Sequence, residues 1–238
     1  MTEKRPLTFT LFLLRLLSGL TGGISGTLAA FVVYFILSNV LPTGEDVTSL
    51  SVFTIIIMAF IGTLIANTIT AVMLTFMDSE KYSRRKTTIT HVFLFNLILF
   101  FVTIPIYMLA VPLDIASSVA AMHFLLSAYV SFLIMEILAG YEFSLLGVYA
   151  ASLGIFASIG FALVVMVTGS SELFLTLGAM PIVWFILMVV GGLVELIYDN
   201  FLRSYGVDAL NVETDLGGDT DIEPDEDDEN EDDDDVSM

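Results

Sequence analysis

Six long apolar runs, separated by short polar segments, occupy most of the chain. They extend from Leu7 to Leu41 and from about Leu50 to Met77, Ile89 to Val111, Ile115 to Leu138, Phe143 to Val167 and Leu173 to Tyr198. Each is longer than the roughly 18 apolar residues that indicate a membrane-spanning helix. The pattern predicts an all-α polytopic membrane bundle of six transmembrane helices, residues 1–207, followed by a disordered acidic tail, residues 208–238.

The first run is longer than one span requires. As a helix, Leu7 to Leu41 would measure about 52 Å, against a hydrocarbon core of about 30 Å. We therefore expect an interfacial start from Leu7 to about Arg15 and a span that begins near Leu17. A cleaved signal peptide is the alternative, because basic residues precede the run, but the run exceeds the length of a signal-peptide apolar region.

Small residues recur at helical spacing in three of the predicted spans. In the first span they are Gly19, Gly22, Gly23, Gly26 and Ala30, and in the fifth they are Gly147, Ala151, Gly154, Ser158 and Ala162. On the fourth span Ala116, Ala120, His123, Ser127 and Ser131 form a comparable stripe. Small side chains let helix backbones approach closely, and this contact replaces the hydrophobic attraction that helices lack in lipid. We expect the bundle to assemble against the first span, and the small faces of the fourth and fifth spans to meet each other or the first.

The stripe on the fourth span has two interpretations. It is either a packing interface, as small-residue stripes commonly are, or the lining of a polar cavity with His123 as its most reactive member. Polar side chains at membrane depth are costly and therefore indicate function. A neutral histidine beside Ser127 and Ser131 is nevertheless readily satisfied by hydrogen bonds between helices, so packing is the favoured interpretation.

The basic residues are confined to one side of the predicted topology. All eight, Lys4, Arg5, Arg15, Lys81, Arg84, Arg85, Lys86 and Arg203, fall on the side that holds both termini. Loops rich in lysine and arginine remain in the cytoplasm, so we predict cytoplasmic N and C termini. The sequence contains no N-x-S/T sequon, which is consistent with a prokaryotic plasma membrane.

Three ionisable residues are predicted to lie at this cytoplasmic end, inside the apolar runs. Arg15, Glu136 and Glu195 belong to the first, fourth and sixth spans. Opposite charges in a partly apolar layer favour pairing. The alternative is that each side chain extends separately to the interface, as long side chains near helix ends commonly do.

The acidity of the chain belongs to its C-terminal segment. The net charge is −19, and 16 of the 27 acidic residues lie between Asp208 and Asp235. This segment is either a solvated run or an electrostatic contact for a basic cytoplasmic partner. A strongly acidic chain is not expected to bind nucleic acid, which requires lysine and arginine against its phosphates.

Few residues in the sequence support catalysis or metal binding. Cysteine is absent, and His91 and His123 are the only imidazoles, so thiolate metal sites and cysteine nucleophiles are excluded. The chain also contains no phosphate-binding glycine loop and no HExxH motif. We therefore predict no catalytic, cofactor-binding or metal-binding residues.

One short motif points to a protease. Gly23-Ile24-Ser25-Gly26 resembles the G-x-S-G motif of the rhomboid proteases, which have six spans and a serine–histidine dyad within the membrane. The resemblance implies intramembrane proteolysis, which needs a base beside the nucleophile. In that family the motif lies in a later span with further histidine and asparagine signatures, which this chain lacks. A small packing residue is therefore the preferred interpretation of Ser25.

These observations favour a non-enzymatic membrane assembly or scaffold subunit, with a membrane-protein partner or further copies of itself in the bilayer. The alternative is a component of a small-solute transporter, because six short-looped spans resemble the layout of the substrate-binding subunits of vitamin importers. An intramembrane serine protease is the remote alternative.

Overall fold

A computed structural model describes residues 7–40, 47–110, 116–139, 141–167 and 172–202. Its helices are α1 (Phe9–Val40), α2 (Val47–Met77), α3 (Arg85–Ala110), α4 (Ala116–Ala139), α5 (Tyr141–Val167) and α6 (Glu172–Ile197), and a π-helical turn, Tyr198–Leu202, follows α6. No strand occurs in these ranges, so the predicted all-α bundle of six long helices is confirmed. The predicted disordered tail, residues 208–238, lies outside the described residues.

The helices have the length and composition of membrane spans. Five of them, α1 to α4 and α6, are long and apolar enough to cross a bilayer. The side chains of α5 are described only from Leu146 to Gly160, and over that stretch the helix is also apolar. The chain is a membrane protein whose helices satisfy their own backbone hydrogen bonds, as lipid requires.

Two helices continue through positions where the sequence suggested a change. α1 runs without interruption from Phe9 to Val40, through the expected interfacial start, and Arg15 is buried within the bundle. α3 likewise continues to Ala110 and contains Pro105, which lacks a backbone donor.

The interior of the bundle contains two groups of apolar side chains. One surrounds Trp184 and includes Leu74, Phe132, Met135 and Leu187. The other includes Ala30, Met58, Tyr107, Phe124 and Met180. We call the end of the bundle that contains Arg15, the α2–α3 connection and the last turns of α4 and α6 the Arg15 end. The first group lies nearer to this end than the second.

The small residues of α1 place this helix between α2 and α6. A Cβ atom added at Gly26 would lie 2.5 Å from the carbonyl oxygen of Gly62 on α2, and one at Gly22 would lie 2.7 Å from that of Ala66. On the opposite side, a Cβ at Gly19 would lie 3.2 Å from the carbonyl oxygen of Trp184 on α6. Gly23 packs in the same way against Pro181, and Ala30 is fully buried. Neither interface has room for a larger side chain.

The small residues of α5 face two different helices. A Cβ atom at Gly147 would overlap the side chain of Glu136 on α4, and one at Gly154 would lie 2.7 Å from Leu187 on α6. Ala151 is fully buried in the group around Trp184. The structure thus places this face against α4 and α6, whereas the sequence suggested α4 or the first span.

Candidate functional site

Six buried side chains from different parts of the chain meet at the Arg15 end. We call them the ionic cluster: Arg15, Asp78, Lys81, Tyr82, Glu136 and Glu195. None of the six residues exposes more than 8% of its surface. Buried charges are stable only when paired and hydrogen-bonded, so the geometry of these contacts determines what the site can do.

Arg15 connects three elements through two carboxylates. Its Nε and Nη2 atoms both lie near Asp78 Oδ2, at 2.8 and 2.7 Å, and its Nη1 lies 2.5 Å from Glu195 Oε2. The planar guanidinium holds several donors in a fixed arrangement. One side chain therefore fixes α1 to the end of α2 and to α6.

Lys81 and Tyr82 extend the cluster to α4. Lys81 Nζ lies 2.8 Å from Glu136 Oε2 and 3.4 Å from Glu195 Oε2. The Tyr82 hydroxyl donates to Glu136 Oε1 at 2.6 Å. Burial raises the pKa of Tyr82 well above its ordinary value, and the Glu136 carboxylate raises it further. Tyr82 therefore remains a proton donor over the physiological pH range.

The α2–α3 connection directs these side chains inward because it remains nearly helical. The Asp78 amide donates to the Leu74 carbonyl, and the Tyr82 amide donates to the Asp78 carbonyl. Residues three to four apart share one face of such a turn. Asp78, Lys81 and Tyr82 consequently point into the bundle, while Ser79 and Glu80 are exposed.

A small cleft lies beside the ionic cluster, between α4, α5 and α6. Its volume is about 20 Å³. Its lining includes five members of the ionic cluster and the apolar side chains Phe132, Leu146 and Met188. A cavity of this volume holds about one water molecule, so the cleft as it stands does not accommodate an organic solute.

A second polar network lies deeper in the bundle. The Asn67 amide donates to Asn96 Oδ1 at 2.7 Å, the Asn96 amide donates to Ser131 Oγ at 3.0 Å, and Trp184 Nε1 donates to Asn67 Oδ1 at 3.0 Å. These four side chains come from α2, α3, α4 and α6 and are buried. They satisfy each other's hydrogen-bonding groups at a depth where water is excluded.

His123 lies farther from the Arg15 end and joins α4 to α2 and α3. Its Nδ1 atom is 3.1 Å from Thr103 Oγ1, and its Nε2 atom is 3.5 Å from Thr63 Oγ1. The residue is 2% exposed, and its ring lies 6.1 Å from that of Tyr107. Both nitrogens thus face threonines, which is the arrangement expected of a packing interface.

The structure places the polar residues that the sequence singled out at three levels of the bundle. Arg15, Glu136 and Glu195 meet in the ionic cluster, although Arg15 pairs with Glu195 and Asp78 while Glu136 pairs with Lys81. His123 is some 20 Å away, judged by 13 residues of helix between it and Glu136. Ser127 is buried between the two levels and donates to the carbonyl of Phe124 on its own helix.

Sequence analysis missed Asp78, Lys81 and Tyr82 as partners of the cluster. They lie in a charged connection that reads as a solvated loop, and nothing in their spacing shows that it folds inward. Asn67 and Asn96 carried a signal, because an amide inside an apolar span needs a partner on another helix. Trp184 gave no indication in the sequence that its ring nitrogen would bind Asn67.

The described side chains can be compared with the geometry of a metal centre and of a protease dyad. Among the described residues, no three histidine, aspartate or glutamate side chains are grouped so that they could hold a metal ion. The carboxylates of the ionic cluster face Arg15 and Lys81 instead. The ring nitrogens of His123 contact the hydroxyl groups of Thr63 and Thr103.

Comparison with protein-family models, with curated proteins and with solved structures gave no match for this chain.

Proposed function

We propose that the chain is a non-enzymatic subunit of a membrane assembly, with its six-helix bundle acting as a preformed scaffold. The observation that carries this proposal is the closure of the ionic cluster by side chains of the chain itself. Arg15 links α1 to Asp78 and Glu195, and Lys81 links the α2–α3 connection to α4 and α6. Because the strongest polar groups of the interior hold helices together, recognition is left to the outer surface.

The outer surface supports this interpretation. Large apolar side chains cover the outward faces of α1 and α3, among them Phe31, Phe35, Phe101, Val102 and Leu109, all more than half exposed. Van der Waals packing drives association between helices in lipid. Either lipid chains or the helices of a partner can therefore cover these faces, and a scaffold subunit uses them for a partner or for a second copy.

We place the protein in the cell membrane, in a prokaryotic plasma membrane, with the Arg15 end on the cytoplasmic side. The basic residues support this orientation, since Lys81 and the exposed Arg84 lie in the connection at that end and the exposed Lys86 lies in the first turn of α3. The absence of glycosylation sequons is consistent with the assignment to a prokaryote.

Native mass spectrometry of the protein in membrane patches, extracted by polymer without detergent, tests the proposal. The chain has a mass of 26.0 kDa. An assembly subunit gives a particle of fixed larger mass, either a multiple of 26.0 kDa or the sum with one partner in constant ratio. A particle that contains one chain and lipid alone would overturn it.

A component of a small-solute transporter is the second candidate, and the cleft beside the ionic cluster favours it. The cleft places charged groups of both signs against apolar side chains, as binding sites for small molecules do. The transporter function ranks second because the cleft is small: α4 and α6 would have to separate before a solute could enter it.

Solute binding is separable from scaffolding by the variant Glu136→Gln. Glutamine is nearly isosteric and retains an acceptor for Tyr82, but it removes the charge that faces Lys81. A transporter component should lose a bound solute in this variant while the mass of its assembly is unchanged. A scaffold subunit should show no bound solute in either form.

A further inference from the structure

The start of α3 presents a group of positive charges at the Arg15 end. We call Arg84, Arg85 and Lys86 the basic face. Arg84 and Lys86 are exposed and form no ion pair with another described residue. Arg85 is held in place, because its Nε donates to the Thr75 carbonyl at 3.2 Å and its guanidinium lies 4.0 Å from the centre of the Phe76 ring.

Two independent features make this face attractive to an anion. The three side chains supply positive charge, and the first amides of α3 add the positive end of the helix dipole. The neighbouring charges do not cancel it, since Asp78 is ion-paired inward with Arg15. Glu80 is the one exposed carboxylate in the connection, so the outward charge stays positive.

The chain leaves the bundle close to this face. Lys81 Nζ lies 3.4 Å from Glu195 Oε2, which places the α2–α3 connection against the last turns of α6. The described chain ends at Leu202, seven residues after Glu195, or about 10 Å if helical. The exit point of the C-terminal segment and the basic face are therefore at the same end of the bundle.

We propose that the acidic segment Asp208–Asp235 docks on the basic face of its own molecule. This segment carries 16 carboxylates, ten of them among the eleven residues Asp225–Asp235. A flexible chain of 25 residues spans about 25 to 30 Å on average, which reaches the basic face from Leu202. Linkage within one chain gives an effective concentration in the millimolar range, so individually weak contacts suffice.

Anionic lipid headgroups are the competing occupant, because their phosphates would also bind the basic face. The segment itself is repelled by an anionic leaflet. Docking therefore covers the positive charges of α3 with an acidic segment. The Arg15 end of the protein then binds anionic lipid less strongly.

Carbodiimide coupling, which joins a lysine amine to a carboxylate in direct contact, tests the proposal on the full chain. The chain has only three lysines, Lys4, Lys81 and Lys86. Coupling is performed in discs of zwitterionic lipid, and the linked peptides are identified by mass spectrometry. We expect Lys86 to be linked to residues 208–235, and the link to be lost in about 1 M NaCl, where the Debye length falls to about 3 Å.

Controls separate docking from the other outcomes. Lys81 is buried and ion-paired, so it should remain unlinked to the segment. Arg84→Gln should lower the yield at Lys86, whereas Thr87→Gln, an exposed neutral position nearby, should not. In a mixture of chains labelled with light and heavy nitrogen, links should join chains of the same label.

Three results would overturn the proposal. One is a yield at Lys86 no higher than at Lys4, or one insensitive to salt. Another is linkage between differently labelled chains in the proportion expected for exchange between molecules. The last is full loss of the link when a fraction of the lipid is anionic, which would assign the basic face to headgroups.

Discussion

Arg15 on α1 and Glu195 on α6 are 180 positions apart in the sequence, yet Arg15 Nη1 lies 2.5 Å from Glu195 Oε2. The same guanidinium contacts Asp78 at the end of α2. The first and last helices are therefore joined at the Arg15 end by one buried ion pair. Because a buried ion without its partner is strongly unfavourable, this contact selects the arrangement in which all of these elements are in place.

The first prediction concerns Arg15. Replacement by methionine should destabilise the bundle by about 3 to 5 kcal/mol, because Asp78 loses its cation and Glu195 keeps only the longer contact to Lys81. Adding Glu195→Gln should recover part of this loss, since it removes one of the two negative charges that Arg15 neutralised. Unfolding in mixed micelles measures both changes.

Glu136→Gln is the matched control for this rescue. Glu136 contacts Lys81 and Tyr82 rather than Arg15, so its replacement should rescue Arg15→Met less than Glu195→Gln does, and only through the Lys81 that both carboxylates share. Equal rescue by both glutamines would mean that the pairing pattern of the ionic cluster differs from the one described.

The sequence indicates the helices of this protein more clearly than the contacts between them. Apolar runs require helices in lipid, because each backbone polar group must be satisfied within its own segment. The surroundings of Arg15 were harder to predict, because α1 has 32 residues and is longer than the bilayer is thick. Length alone does not show that Arg15 is buried against α6 and α2 rather than placed at the interface.

The ionic cluster shows why partners are harder to predict than positions. Arg15, Glu136 and Glu195 stand out as charges inside apolar runs. Lys81 and Tyr82 do not, because a charged connection is normally solvated, and only the folded turn directs them inward. Pairing depends on which helices are neighbours, and helix neighbours depend on packing details that periodicity does not contain.

The second prediction concerns the seam between α1 and α2. Gly26→Leu should destabilise the bundle by about 1 to 3 kcal/mol or more, as insertion of extra methylene groups into a close-packed contact does. A Cβ at Gly26 already lies 2.5 Å from both Ala66 Cβ and the Gly62 carbonyl oxygen. Gly160→Leu is the control, since nothing lies within 4 Å of a Cβ at that position. Equal thermal stability of both variants in detergent would contradict the described seam.

The third prediction follows from Tyr82, whose pKa burial raises well above its ordinary value. In the unfolded chain this tyrosine ionises near pH 10, whereas in the folded chain it keeps its proton. The unfolded state therefore binds fewer protons above about pH 10, and the stability of the fold should fall as the pH rises there. Tyr82→Phe should show a smaller fall between pH 9 and 11, although its stability at pH 7 is reduced by loss of the hydrogen bond to Glu136. Parallel pH curves for the two proteins would exclude this contribution.

The fourth prediction is topological. A reporter fused after Val207 should read as cytoplasmic, and one inserted near Gly44 should read as external, because the basic residues in the described part of the chain lie at the Arg15 end. Alkaline phosphatase and green fluorescent protein fusions give opposite readings on the two sides. A cytoplasmic signal at both positions would require a different number of spans.

The last prediction distinguishes packing from a cavity at His123. The residue is 2% exposed and its ring nitrogens face Thr103 and Thr63, so His123→Ala should remove contacts that join α4 to α2 and α3 and leave a cavity, while both threonines keep their bonds to carbonyls of their own helices. We expect a loss of about 1 to 3 kcal/mol from the lost hydrogen bonding and packing. Because the chain contains no cysteine, a single cysteine at position 123 should also resist a membrane-impermeant maleimide in lipid discs, which are open to the reagent on both sides, while a cysteine at the exposed Ser83 reacts. Rapid labelling at position 123, together with unchanged stability of His123→Ala, would show that this face of α4 lines a water-filled cavity.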